Sequence, residues 1–174
     1  MSSAEAKLKM KREAGFSIIE LMVVAVIMAI IFAASIPSLR SHTASVNLTK
    51  GASMVASTLK LARTRAVATN VPVVVQFNGD AGTYLVFQDD DGDGTLDDGE
   101  TSSGPYKMPS STSINEVSFT NSSVTFAPNG AASETGNVVL ANYKDLAKRV
   151  DVTAPTGLVY ISDIYDLTDL GEER

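Results

Sequence analysis

The chain has no cysteine, one histidine and few aromatic residues, 6% of its 174 positions. Without cysteine, no disulfide can staple an exported domain, and zinc sites and nucleophiles that need a thiolate are excluded. His42 would have to serve any Ser–His–Asp constellation alone, from a position just beyond a long apolar segment. No phosphate-cradling loop of the P-loop type occurs, and Gly79, Gly82, Gly92 and Gly94 read as turn residues. A surplus of positive charge is also missing. Fourteen basic residues face 20 acidic ones, a net charge of −6, whereas nucleic-acid binders carry a basic patch. The candidates for such a patch, Arg63 with Arg65 and Lys144 with Lys148 and Arg149, read as ordinary solvated charges. An enzyme is the weakest reading, and nucleic acid is an unlikely partner.

What is present first is an apolar run from Phe16 to Ile36, interrupted by one carboxylate, Glu20. As a helix it would be about 31 Å long, enough to cross a bilayer core. A helix apolar on every face is buried on every face, in lipid or in a bundle. An unpartnered carboxylate in such surroundings costs several kcal/mol or more, so Glu20 requires neutralisation or water. Residues 1–15 carry Lys7, Lys9, Lys11 and Arg12 against Glu5 and Glu13. A basic segment before an apolar span stays cytoplasmic and sends the rest of the chain out. A secretory signal peptide places its small-residue cleavage site after the apolar region. Here the small residue, Gly15, precedes it.

A basic leader ending in Gly15, then Phe16, then Glu20 as the fifth residue after the glycine, with Pro37 farther along, resembles type IV prepilins and type II secretion pseudopilins. The resemblance implies cleavage between Gly15 and Phe16 by a prepilin peptidase, which also N-methylates Phe16. It further implies an inner-membrane, single-pass subunit with a periplasmic domain. Its partners would be other pilin or pseudopilin subunits and an inner-membrane assembly platform. The chemistry agrees. Cleavage creates an α-amine near Glu20, and in a stack of helices the amine of one subunit can meet the carboxylate of the next. The alternative is a Glu20 that snorkels to water at the membrane interface. Pro37 predicts a bend.

Past Pro37, Leu48, Ala52, Val55, Leu59, Ala62 and Ala66 recur at steps of four and three, an amphipathic stripe. Gly51 is expected to weaken that helix, which should end near Thr69-Asn70, before Pro72. From Val71 the texture is short strands between turns. Strands are predicted at 73–77, 83–87, 116–120, 123–127, 137–141, 149–153 and 157–162, and turns at Pro105, Pro109, Pro128 and Pro155. The fold class is therefore α+β and pilin-like, a long N-terminal helix packed on an antiparallel sheet domain. The expected organisation is a leader at 1–15, a transmembrane assembly helix at 16–38 and an amphipathic helix at 39–70. A sheet domain follows at 71–162, then a loose tail at 163–174. The junction Leu61–Val73 and the strand and acidic loop after it resemble the GspH/FimT type of minor pseudopilins and minor pilins. Some of that group bind DNA through arginines near a C-terminal glycine. The corresponding stretch, 154–160, has no arginine.

The second chemical feature is Asp89–Glu100, with seven carboxylates and no basic residue in twelve positions. Without the leader the chain would hold 10 basic and 18 acidic residues, a net of −8, so this loop supplies nearly the whole imbalance. Counting from Asp89, positions 1, 3, 5, 9 and 12 are Asp89, Asp91, Asp93, Asp97 and Glu100. Gly94 occupies the turn position and Thr95 would offer its carbonyl. That is the spacing of an EF-hand-type Ca²⁺ loop, here after a strand rather than a helix. Ca²⁺ fits such a hard oxygen set better than Mg²⁺, which keeps its waters. The alternative is a solvated acidic turn.

The reading that follows is a structural minor pilin or pseudopilin subunit, with assembly as its work. One competitor is a surface pilin whose domain binds DNA or another surface over a Ca²⁺-ordered loop. The other is a Ca²⁺-sensing membrane protein with no place in a filament.

Overall fold

The computed structural model describes residues 15–168, with the side chains of residues 34–41 outside the description. Most of the expected leader and the last part of the tail thus lie outside the described residues. The chain divides between Arg40 and Ser41 into two compact units, although one helix, α1, is assigned from Ile18 to Thr69. In the first unit that helix opens with the Leu21 amide donating to the Ser17 carbonyl. Its described apolar side chains are exposed from Ile18 through Phe32.

In the second unit the helix has a buried stripe. Ala44, Leu48, Ala52, Val55, Ala56, Leu59, Ala62 and Ala66 are all essentially inaccessible. The many alanines let the helix axis approach the sheets closely. Gly51 extends the same logic: a Cβ there would lie 3.2 Å from Thr112 Cγ2 and 3.6 Å from Leu140 Cδ1. The expected weak point is therefore a packing position, where the cost in helix propensity is offset by contact with a sheet. The helix stops at Thr69 as Asn70 turns left-handed, φ +57°, and Pro72 follows.

Among the described residues nine strands follow. They are β1 (Val73–Asn78), β2 (Thr83–Gln88), β3 (Ser102–Lys107), β4 (Thr112–Val117), β5 (Ser123–Phe126), β6 (Gly136–Asn142), β7 (Leu146–Thr153), β8 (Leu158–Ile161) and β9 (Tyr165–Asp166). They form two antiparallel sheets rather than one, ordered β3-β2-β1-β5 and β4-β6-β7-β8, with β9 also on β7. Alternation turns Val73, Val75 and Phe77 of β1 and Tyr84 and Val86 of β2 toward the core that holds the helix stripe. Val138 and Leu140 of β6 and Val150 and Val152 of β7 enter the same core from the second sheet. The Phe77 ring lies 6.0 Å from Tyr84 and 6.4 Å from Phe119. Tyr84 shares a 3.2 Å hydroxyl contact with Thr58 of the helix. Burial raises its phenol pKa, partly countered by that hydrogen bond.

Three expectations need correction. The turn expected at Pro105 lies inside β3, an edge strand of the first sheet where a missing amide donor is tolerated. The strand expected at 116–120 runs earlier, Thr112–Val117, with a register shift between Ile114 and Glu116. Beyond it the chain turns at Thr120–Ser122, where the Glu134 carboxylate accepts from the Thr120 amide at 2.7 Å and hydroxyl at 3.1 Å. The tail is also not loose at its start. Tyr165 and Asp166 pair with Ala147 and Leu146. Tyr165 and Leu167 then pack on Val139, Ala141 and Ala147, a second apolar cluster on the far face of the β6–β7 pair.

Candidate functional site

Two places carry the candidate residues. At the start of the described chain, Gly15 and Phe16 precede the helix, and Phe16 is 83% exposed. Glu20 is exposed in the first turn of α1, where the helix dipole favours a carboxylate. The described apolar side chains run from Ile18 to Ala33, and among the described residues no helix is long and apolar enough to cross a membrane. Pro37 lies within α1, and its side chain, with the bend expected there, falls outside the description. The surface is therefore an apolar helix with one carboxylate near its beginning. Chemically it offers helix-to-helix or helix-to-lipid burial and a single site for a positive partner.

The acidic loop joins β2 to β3. Its root is fixed on both sides. The Gln88 amide donates to the Thr101 carbonyl at 3.0 Å, and the Asp89 amide donates to the Pro72 carbonyl at 3.0 Å. Arg65 Nη2 reaches Gln88 Oε1 at 3.3 Å. The loop is thereby tied to the junction between α1 and β1. Apart from Asp89, those anchoring residues lie outside the acidic motif, and the β1–β2 hairpin register was the signal that could have found Gln88.

Within the loop, Asp89 is 2% exposed, and its two oxygens accept from the Gly92 amide at 2.9 Å and the Gly94 amide at 3.1 Å. Gly92 and Gly94 have φ of +81° and +79°, the left-handed conformations that let successive amides turn inward. Asp91 accepts from the Asp93 amide. Asp93 accepts from both the amide and the hydroxyl of Thr95, each at 2.7 Å. Oxygens of Asp89, Asp91 and Asp93 lie within 4.8 Å of one another.

Asp97 and Glu100 do not join that cluster. Glu100 instead closes the loop, with Oε1 accepting from the Asp90 amide at 2.8 Å and Oε2 from the Asp97 amide at 3.1 Å. The structure thus gathers three of the expected ligands and turns the carboxylate at position 12 onto backbone donors. The electrostatics follow the geometry. The Thr95 hydroxyl, then its amide, holds the Asp93 carboxyl below the ordinary range. Repulsion, from Asp93 first and from Asp91, Glu100 and Asp89 behind it, pushes Asp97 up. A donor set of clustered carboxylates with no nitrogen or sulfur fits a hard cation.

Arg63, Arg65, Lys148 and Arg149, considered for a basic patch, make internal contacts instead. Arg63 Nε donates to the Gly130 carbonyl at 3.0 Å, and Lys148 Nζ donates to Ser162 at 3.1 Å. Arg149 pairs with Asp151 at 2.9 Å.

Comparison with known proteins bears on the family. None of the curated proteins matches the chain. Among solved structures, the fold is similar to the minor pseudopilin EpsH from the type 2 secretion system of Vibrio cholerae. That similarity has TM-score 0.51 and 13% identity and covers 67% of this chain and 96% of EpsH. It is also similar to the type IV minor pilin FimU of Pseudomonas aeruginosa, at TM-score 0.53 and 14% identity, covering 67% of this chain and 88% of FimU. At such identities the likeness is one of fold, a long helix on antiparallel sheets. Residues 10–36 match the prokaryotic N-terminal methylation motif, which spans Gly15, Phe16 and Glu20. Residues 52–157, more than half of the chain, match the family described as type II transport protein GspH, and the chain belongs to that family.

Proposed function

We propose that the protein is a structural minor pseudopilin or minor pilin, built into a type II secretion pseudopilus or a type IV pilus. The observation that carries the reading is the exposed apolar helix with Glu20 in its first turn, directly after Gly15 and Phe16. A prepilin peptidase cuts between Gly15 and Phe16 and methylates the new terminus. The run Phe16–Ile36 then holds the subunit in the inner membrane as a single span, with the sheet domain in the periplasm. An inner-membrane platform assembles it with other subunits of its kind. In the assembled bundle the Phe16 amine of one subunit neutralises Glu20 of its neighbour, which also sets the register. No catalytic step belongs to this role. The mature protein should begin at N-methylated Phe16 by mass spectrometry. Glu20→Ala should leave membrane insertion intact and lower incorporation into filaments. Incorporation at the wild-type level would overturn the charge pair.

We further propose that Asp89, Asp91 and Asp93 hold a Ca²⁺ ion, with Thr95, Asp97 and Glu100 completing the site as the loop adjusts. The EF-hand spacing and the convergence of three carboxylates support this. The ion would supply only charge neutralisation and a fixed loop. Binding to the folded form alone adds about 2.7 kcal/mol at a hundredfold excess over Kd. Melting of the compact unit Ser41–Arg174 should therefore shift upward with Ca²⁺ and back with chelator. An unchanged midpoint would remove the metal from the account.

A further inference from the structure

Among the described residues the two sheets end in four edge strands, and three of them are protected. β3 carries Pro105, which has no amide to offer. β5 is covered: Thr125 accepts at its carbonyl from the Ser133 amide and donates its own amide to the Ser133 hydroxyl, while Phe126 bridges to Ala132. β4 shifts register between Ile114 and Glu116 and holds the Glu116 charge. Bulges, charges, prolines and covering segments are the devices that stop an edge from pairing with another chain.

Among the described residues β8 has none of them. Its sequence is Leu158-Val159-Tyr160-Ile161, uncharged and without proline, and it pairs with β7 in unbroken register from Thr153 to Val150. The Ser162 amide donates to the Arg149 carbonyl, while the Arg149 amide donates to the Ser162 hydroxyl, and the first of these bonds fixes the phase of the β7–β8 ladder. Alternation then turns Leu158 and Tyr160 toward β7 and leaves the amides and carbonyls of Val159 and Ile161 on the open side. Leu158, Tyr160 and Ile161 are 41%, 56% and 39% exposed. The edge continues through a one-residue slip, from Val150↔Ile161 to Ala147↔Tyr165, which projects Ile164 beside the helix. There Ile164 lines an open, largely apolar groove of about 420 Å³ with Ser45, Val46, Thr49, Lys50 and Ser53.

We infer that the open edge of β8 is where an extended segment of a neighbouring pilin-type subunit adds as the next strand. The inference rests on the filament role proposed above. The occupant is a strand rather than a helix because the unused groups are alternate backbone donors and acceptors, which only extended backbone can match. Its inward side chains are apolar, to lie against Ile161 and drop into the groove at Val46 and Ile164. Among the described residues Lys50 is the single charge lining that groove, which selects a strand ending in a carboxylate.

The test uses the full chain expressed with its partner subunits. Backbone hydrogen exchange, compared between the unassembled and assembled protein, should slow about tenfold or more at Val159 and Ile161 and change little at Tyr160, already bonded to β7. A photoreactive residue in place of Leu158 should yield an adduct with another subunit. Ile161→Pro removes one outward donor without touching a β7 bond. It should cut that adduct about tenfold while the sheet domain melts as before. Unchanged exchange at 159 and 161 overturns the inference, and so does an adduct confined to residues 169–174 of the same chain. If Glu20→Ala still lowers incorporation under those results, the filament role stands and only the edge falls. If the chain never enters a filament, both fall.

Discussion

Single residues set the behaviour of the acidic loop. Asp93 and Asp97 stand four positions apart and are displaced in opposite directions. Asp93, lowered by the Thr95 donors, adds stability above its unfolded pKa that is lost as pH falls through the folded value. Asp97 is raised by its neighbours, so its ionised form opposes folding above that raised value and the penalty is relieved on acidification. In a carboxyl titration followed by NMR, Asp97 should titrate above the ordinary Asp value and Asp93 below it. Saturating Ca²⁺ should bring Asp97 down, because a bound cation reverses the sign of its surroundings. A second single-residue prediction concerns Gly157. It sits at φ +59°, and a Cβ there would lie 2.2 Å from the Gly130 carbonyl oxygen and 3.1 Å from Arg63 Cδ. Gly157→Ala should destabilise the compact unit by about 1–3 kcal/mol in denaturant unfolding, from backbone strain and the displaced Arg63–Gly130 bond.

At the scale of elements, the amphipathic half of α1 is the keystone, because its stripe contacts both sheets. Leu59, fully buried on that stripe, should cost about 2–5 kcal/mol when cut to alanine, read as a lower denaturation midpoint at unchanged m-value. This element was legible in the sequence because a 3.6-residue period survives over many turns. The β1–β2 hairpin was legible for a similar reason, two β-rich runs flanking a glycine loop. The failures have physical causes. β3 was unreadable because its sequence, Ser-Ser-Gly-Pro-Tyr-Lys, has turn chemistry, and pairing to β2 overrides it. Phe119 looked like a strand residue. It is a core residue at the lip of a tight turn whose next residue, Thr120, is held by Glu134 fourteen positions beyond it. The division into two sheets is a matter of long-range pairing, β1 with β5 and β4 with β6, which local pattern does not encode. In the acidic loop the spacing identified the carboxylates that converge at Asp89, Asp91 and Asp93. The placement of Glu100 depends on amides that the motif does not name.

At the scale of the whole molecule, the two compact units divide the labour. The apolar side chains described before Ser41, from Phe16 to Phe32, are exposed and open to burial elsewhere, and residues after it close a core of their own. Replacing Ile27 with a lysine should therefore impair insertion or assembly while leaving the melting of the sheet domain unchanged, measured by fractionation and by calorimetry. Every buried side chain among the described residues lies at Ala44 or beyond. A protease that clips the helix near Arg40 would accordingly release an intact, folded and water-soluble domain, not a denatured remnant. In the proposed role, the same boundary would make the anchor and the domain separable in time: the sheet domain could finish folding on its own core while the helix still awaited its neighbours.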